Sequence, residues 1–130
     1  MLAAFKIRAV PININFRYVE EELYYLFDNA DLGGMIHHRE FGPRIAALAG
    51  RLPKLKTFLV VEDDSGANCA AIGSCNYEDA LANASPQRDF APRSADDLYI
   101  VYTGGTTGMP KGVMWRHEDL FFAALMGGNP

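Results

Sequence analysis

The chain has 130 residues, 49% of them hydrophobic and 22% charged, with a net charge of −4. This is enough for one domain with an apolar core, and it excludes a disordered or collagen-like chain. The acidic balance argues against a general binder of nucleic acid or anionic membranes, and no apolar run approaches the roughly 20 residues of a membrane-spanning helix.

In chain order, residues 1–8 read as the tail of a helix, too short and wrongly charged for a signal peptide. Residues 10–14 have strand length. Val19, Leu23, Leu26, Phe27 and Ala30 then recur at steps of three and four, which predicts a helix. Glu20, Glu21 and Glu22 fill its other side and its first turn, where the helix dipole favours negative charge. A strand is expected at 34–37. A second helix carries Phe41, Ile45, Leu48, Ala49 and Leu52, with Gly50 and Pro53 closing it. Residues 58–61 form another strand, and Asn76 is suited to cap a short helix. Two prolines in 85–95 mark a loop, so 85–97 leads into the strongest strand, 98–102. The last helix opens at His117, carries Leu120, Phe121, Ala124 and Leu125, and stops at Gly127-Gly128.

Continuous apolar runs suit parallel strands buried on both faces. The alternation of strand and helix implies an α/β fold, a layered, mostly parallel sheet with flanking helices and right-handed crossovers. Two cysteines, Cys69 and Cys75, cannot staple a scaffold, so a reducing cytoplasm is the expected setting.

The chemistry concentrates in Thr103-Gly-Gly-Thr-Thr-Gly-Met-Pro-Lys-Gly112, directly after the strongest strand. Four of the chain's twelve glycines fall between Gly104 and Gly112. Glycines at Gly104, Gly105 and Gly108 let successive backbone N–H groups converge on an anion. Thr103, Thr106 and Thr107 add hydroxyl donors, and Lys111 adds a full positive charge. No Asp or Glu occurs from Thr103 through Arg116, although acids outnumber bases sixteen to twelve overall. A polyphosphate fits this local field. The spacing is not that of a Walker loop, because Lys111 follows Pro110 and precedes Gly112, and the dinucleotide G-x-G-x-x-G spacing also fails.

The segment resembles the phosphate loop of the adenylate-forming, AMP-binding superfamily, whose pattern is Tyr-Thr-Ser-Gly-Thr-Thr-Gly-x-Pro-Lys-Gly-Val. Residues Tyr102 to Val113 agree at ten of its eleven named positions, with Gly104 replacing Ser. Ala9 to Tyr18, Asp96-Asp-Leu-Tyr-Ile100 and Met114-Trp-Arg-His-Glu-Asp-Leu120 are also similar, the last most like fatty-acyl and related acyl-CoA synthetases. Arg8 stands where relatives usually carry glycine.

The resemblance implies ATP-dependent activation of a carboxylic acid, of the fatty-acid class, to an acyl-adenylate and then to acyl-CoA. It implies that Thr103, Gly104, Gly105, Thr106, Thr107, Gly108 and Lys111 hold the ATP phosphates. ATP and the acid would be the small-molecule partners, coenzyme A a co-substrate, and Mg2+ would be held by ligands outside this chain. The family's later motifs and C-terminal domain have no counterpart here. Residues 1–130 are therefore expected to be a fragment of a single N-terminal domain, working only with the rest of its parent enzyme. A catalytically incompetent remnant and an aryl- or amino-acid-activating enzyme are the alternatives.

Other residues invite weaker readings. His37 and His38 are adjacent on a strand and point to opposite faces, so they cannot readily share a metal ion. Cys69 and Cys75 lack partner ligands, and Glu62-Asp63-Asp64 reads as a solvated turn rather than a magnesium site. His117 reads as part of a helix start, not as a base.

Overall fold

The computed structural model describes residues 1–104 and 108–125. Its elements in chain order are α1 (Leu2–Lys6), β1 (Ile12–Asn13), α2 (Glu20–Asn29), β2 (Gly34–His38), α3 (Gly42–Ala49), β3 (Thr57–Val61), β4 (Cys75–Asn76), α4 (Tyr77–Ala82), β5 (Leu98–Thr103), β6 (Lys111–Arg116) and α5 (His117–Ala124). Short 3-10 turns occupy Arg39–Phe41 and Ala70–Ile72. The chain divides into two compact units, Tyr18–Pro86 and the combination of Met1–Arg17 with Gln87–Pro130. We call them the inserted unit and the hairpin unit.

The inserted unit holds an all-parallel sheet in the order β2-β3-β4. Met35 and His37 of β2 and Phe58 and Val60 of β3 are buried, together with Leu23, Leu26 and Phe27 of α2 and Ile45 and Leu48 of α3. Burial on both faces is not what these strands show. Their exposure alternates, and Ile36 between the buried residues is 62% exposed. The apolar run therefore acts as a half-buried strand, with one face carrying the core.

Local chemistry explains where the helices of this unit begin and end. Val19 has no side-chain acceptor, so α2 is capped only from within, by the Glu22 carboxylate accepting the Val19 N–H at 3.0 Å. After α2, Asp31 takes a left-handed φ of 49°, and its carboxylate pairs with Lys54. Helix α3 carries Pro43 in its first turn, where a missing N–H costs no helical bond. Gly50 closes α3 in a right-handed conformation, φ −64°, so the stop does not use glycine's left-handed freedom. The chain instead tightens, as the Arg51 and Leu52 N–H groups donate to the Leu48 and Ala49 carbonyls, and Leu52 and Leu55 are buried beyond. Asn76 caps α4 as expected, its Oδ1 accepting from the N–H groups of Glu78 and Asp79 at 2.8 and 3.1 Å.

The hairpin unit has the sheet order β1-β5-β6, with β1 parallel to β5 and β6 antiparallel to it. The mostly parallel α/β architecture thus holds, with one antiparallel pairing that the sequence reading does not anticipate. Residues 111–116 form a strand rather than a direct lead into α5. The signal was present: Val113-Met114-Trp115 is a short apolar run that includes a β-branched and an aromatic residue, types enriched in strands.

In the same unit Phe5 packs edge-on to Tyr99, with ring centroids 5.8 Å apart, and lies 4.3 Å from the His117 ring. Arg8 takes a left-handed φ of 61°. That conformation disfavours a side chain, which is a physical reason for glycine in relatives. Here Arg8 donates from Nε and Nη2 to the Asp97 carboxylate at 3.0 and 2.8 Å.

Candidate phosphate-binding site

Of the residues assigned to phosphate, Thr103, Gly104, Gly108 and Lys111 are described, while Gly105, Thr106 and Thr107 lie outside the described residues. Thr103 is the last residue of β5 and Lys111 the first of β6, and the two are register partners. The Thr103 hydroxyl donates across the hairpin to the Lys111 carbonyl at a long 3.5 Å. The glycine-rich run therefore connects two paired strands, which bring its two ends together. Gly108 has φ 129°, a conformation that residues with a Cβ rarely adopt. Pro110 is buried beside an exposed Lys111.

Strand alternation separates two faces of the hairpin. Lys111, Val113 and Trp115 share one face with their partners Thr103, Val101 and Tyr99. Gly112 belongs to the other, opposite Tyr102. A Cβ on Gly112 would lie 3.2 Å from Tyr102 Cζ and 3.2 Å from Ile100 Cγ2. The space over that glycine is thus taken by a ring and a methyl group from β5.

Charge is distributed unevenly along the hairpin. At its base the Arg116 guanidinium meets Asp96 and Glu118 at 2.8 Å and Asp119 at 3.5 Å. These carboxylates raise its pKa, Asp119 foremost. Among the described residues no carboxylate pairs with the Lys111 ammonium. At the mouth, therefore, a positive charge is available to an anion, whereas at the base it is already neutralised.

The start of α5 is likewise committed within the protein. The His117 N–H donates to the Asp97 carbonyl at 2.8 Å and the Glu118 N–H to the Ala95 carbonyl at 3.2 Å. The Asp97 carboxyl pKa is lowered, chiefly by its hydrogen bonds from Arg8 and then from the Ser94 N–H. His117 sits at the start of α5 as the sequence suggested, and its Nε2 is buried without a hydrogen-bond partner among the described residues. An open groove of about 560 Å³ in this unit is lined by Phe5, Arg93, His117, Leu120 and Phe121 with other residues, and neither Thr103 nor Lys111 forms its wall.

The remaining candidates have local partners. His37 is buried, with Nδ1 2.8 Å from the His38 carbonyl and Nε2 3.4 Å from Ser74 Oγ, while His38 is exposed. Cys69 is buried and Cys75 exposed. The acidic turn after β3 is more engaged than a solvated turn. Glu62 accepts from Arg39 and Asn76. Asp63 accepts from the Glu40 and Ser65 N–H groups at 2.9 Å, and its pKa falls to about 2, with the Ser65 side chain the leading cause. Among the described residues no group of three His, Cys, Asp or Glu side chains could hold a metal ion, and no helix is long and apolar enough to cross a membrane.

Comparison with known proteins extends this geometry. The chain is 55% identical over 129 residues to the 3-oxocholest-4-en-26-oate–CoA ligase of Rhodococcus rhodochrous, covering 99% of this chain and 23% of that protein. It is 51% identical over 129 residues to the medium/long-chain-fatty-acid–CoA/3-oxocholest-4-en-26-oate–CoA ligase of Mycolicibacterium smegmatis, with the same coverage. The chain thus spans about a quarter of the length of these relatives.

Its fold is similar to the crystal structure of the anthranilate CoA ligase AuaEII in complex with anthranoyl-AMP, with TM-score 0.77 and 27% identity over 90% of this chain and 22% of that one. It is also similar to a long-chain-fatty-acid-CoA ligase from Archaeoglobus fulgidus, with TM-score 0.72 and 26% identity over 95% of this chain and 23% of that one. The AMP-binding enzyme family matches residues 1–128. A glycine-threonine run joining paired strands, a lysine at its exit and this match lead to one conclusion: the chain belongs to the AMP-binding enzyme family.

Proposed function

We propose that residues 1–130 form the part of an ATP-dependent acid–thiol ligase that grips the terminal phosphates of ATP. In the reaction a carboxylate oxygen attacks the α-phosphorus, pyrophosphate departs, and an acyl-adenylate forms. The thiol of coenzyme A then attacks the acyl carbon and AMP leaves. Thr103, Gly104, Gly105, Thr106, Thr107, Gly108 and Lys111 hold the β- and γ-phosphates. Backbone N–H groups and the lysine stabilise the charge that grows on departing pyrophosphate, an electrostatic role that needs no covalent step. Mg2+ would shield the same phosphates, held by ligands elsewhere in the enzyme. The observation that carries this reading is the placement of Lys111, uncompensated by any described carboxylate, beside Thr103 at the mouth of the β5–β6 hairpin.

For the acid, the 50–55% identities to ligases named for medium- or long-chain fatty acids and 3-oxocholest-4-en-26-oate favour a large aliphatic or steroid-linked carboxylate. The 30% identity to the benzoate–CoA ligase of Thauera aromatica gives weaker support to an aryl acid. With ATP and coenzyme A as co-substrates, the cytoplasm is the natural compartment.

The test replaces the matching segment of the Rhodococcus rhodochrous ligase with residues 1–130 and follows pyrophosphate release with a fatty acid and ATP. The chimera should be active. Lys111→Ala should lower kcat/KM for ATP by about 100-fold, while changing stability by less than about 0.5 kcal/mol. An inactive but folded chimera, or one indifferent to Lys111→Ala, would overturn the proposal.

A further inference from the structure

Tyr102 and Gly112 are among the motif residues with no phosphate role in the reading above, and the structure places them opposite each other. We propose that Tyr102 is a positioning residue, whose ring over the bare Cα of Gly112 sets the hairpin register that brings Thr103 and Lys111 together. The inference rests on the phosphate-binding reading and deepens it.

Three observations support it. First, the register is Tyr102 to Gly112, with Thr103 to Lys111 the next pair toward the mouth. The ring therefore acts one residue from the lysine. Second, an added Cβ at Gly112 would meet Tyr102 Cζ at 3.2 Å, Tyr102 Cε2 at 3.3 Å and Ile100 Cγ2 at 3.2 Å. Such distances are tighter than ordinary carbon contacts, so a larger residue and the ring cannot both keep their places. Third, five of the six residues of β6 are exposed, so side-chain packing adds little to the strand pairing and the Arg116 ion pairs that hold it. A slip of one residue would carry Lys111 to the opposite face of the hairpin. An aromatic ring filling the space above a cross-strand glycine is a known way to fix register where glycine alone would weaken it.

Glycine at 112 is then needed for close approach, not for an unusual backbone angle. Tyr102 acts through Lys111 and does not itself need to touch the nucleotide. The consequence for kinetics is specific: loss of the ring should weaken the grip on ATP while leaving the acid's binding intact.

The experiment uses the full-length chimera described above and measures KM for ATP, KM for the acid and thermal melting for each variant. Tyr102→Phe keeps the ring and should be clearly less impaired than Tyr102→Ala. Tyr102→Ala and Gly112→Val should each raise KM for ATP about tenfold or more, with KM for the acid unchanged. Removing the ring should also make space, so Tyr102→Ala combined with Gly112→Val should be less impaired than the product of the two single effects. Lys111→Ala should cost less in the Tyr102→Ala background than alone, since the lysine is already misplaced. If Tyr102→Ala does not fold, Tyr102→Leu takes its place.

Equal rises in KM for ATP and acid, a Tyr102→Phe variant as impaired as Tyr102→Ala, or full additivity with Lys111→Ala would overturn the inference. Lys111→Ala without effect would instead sink the phosphate-binding reading. An effect of Lys111→Ala alongside a silent Tyr102→Ala would sink this inference alone.

Discussion

The inserted unit and the hairpin unit use comparable lengths of chain and the same kinds of element, yet they treat their apolar side chains differently. All the large buried apolar side chains described, from Tyr18 to Val60, belong to the inserted unit, where Leu26 and Leu48 are almost wholly enclosed. In the hairpin unit Met114, Trp115, Phe121 and Leu125 are 39–67% exposed. The unit with the core carries no residue assigned to phosphate, and the unit assigned to phosphate is held by strand pairing and by ion pairs at its base. The comparison separates two ways of fixing a structure. Burial stabilises through area removed from water, whereas the hairpin depends on register and on a few polar contacts.

The largest effect that could break this contrast is in the packed helix of the inserted unit. Leu48→Ala should destabilise by about 2–5 kcal/mol in chemical denaturation, because a side chain only 1% exposed leaves a cavity. Trp115→Ala in β6 should cost distinctly less, and equal losses would show that the hairpin unit has a core of its own.

A smaller effect sharpens the picture of tight packing. A Cβ at Gly42 would overlap Cys69 Sγ. Gly42→Ala should therefore destabilise by about 1–3 kcal/mol. Cys69→Ala removes the obstructing sulfur, so a double-mutant cycle should show the two changes to be strongly non-additive. Additive losses would mean that the glycine is required for another reason.

The smallest of these effects lies at the base of the hairpin. Arg8→Ala keeps a side chain at φ 61° and loses the Asp97 contacts, while Arg8→Gly loses the contacts and relieves the backbone. Thermal melting should place Arg8→Ala below Arg8→Gly. The reverse order would show that the left-handed backbone at this position carries no penalty.

Much of the fold was legible in the residues themselves. The steps of three and four from Val19 to Ala30, the Asn76 cap and the apolar runs at 58–61 and 98–102 are local signals, and each element formed where they lie. The strand Lys111–Arg116 is hard to read because its apolar run is only three residues long and follows a glycine-rich segment. The one-sided burial of the parallel strands is not legible, because an uninterrupted apolar run does not say which side a helix will cover.

The linear chain alone carries the glycine-threonine run, the family it signals and the helices of the inserted unit. These depend on residue type and short spacing, which a linear chain displays. Folding alone establishes that Thr103 faces Lys111, that Tyr102 covers Gly112 and that Arg116 is neutralised by Asp96, Glu118 and Asp119. Those relations depend on strand register and side-chain approach across the hairpin, which composition and periodicity leave free.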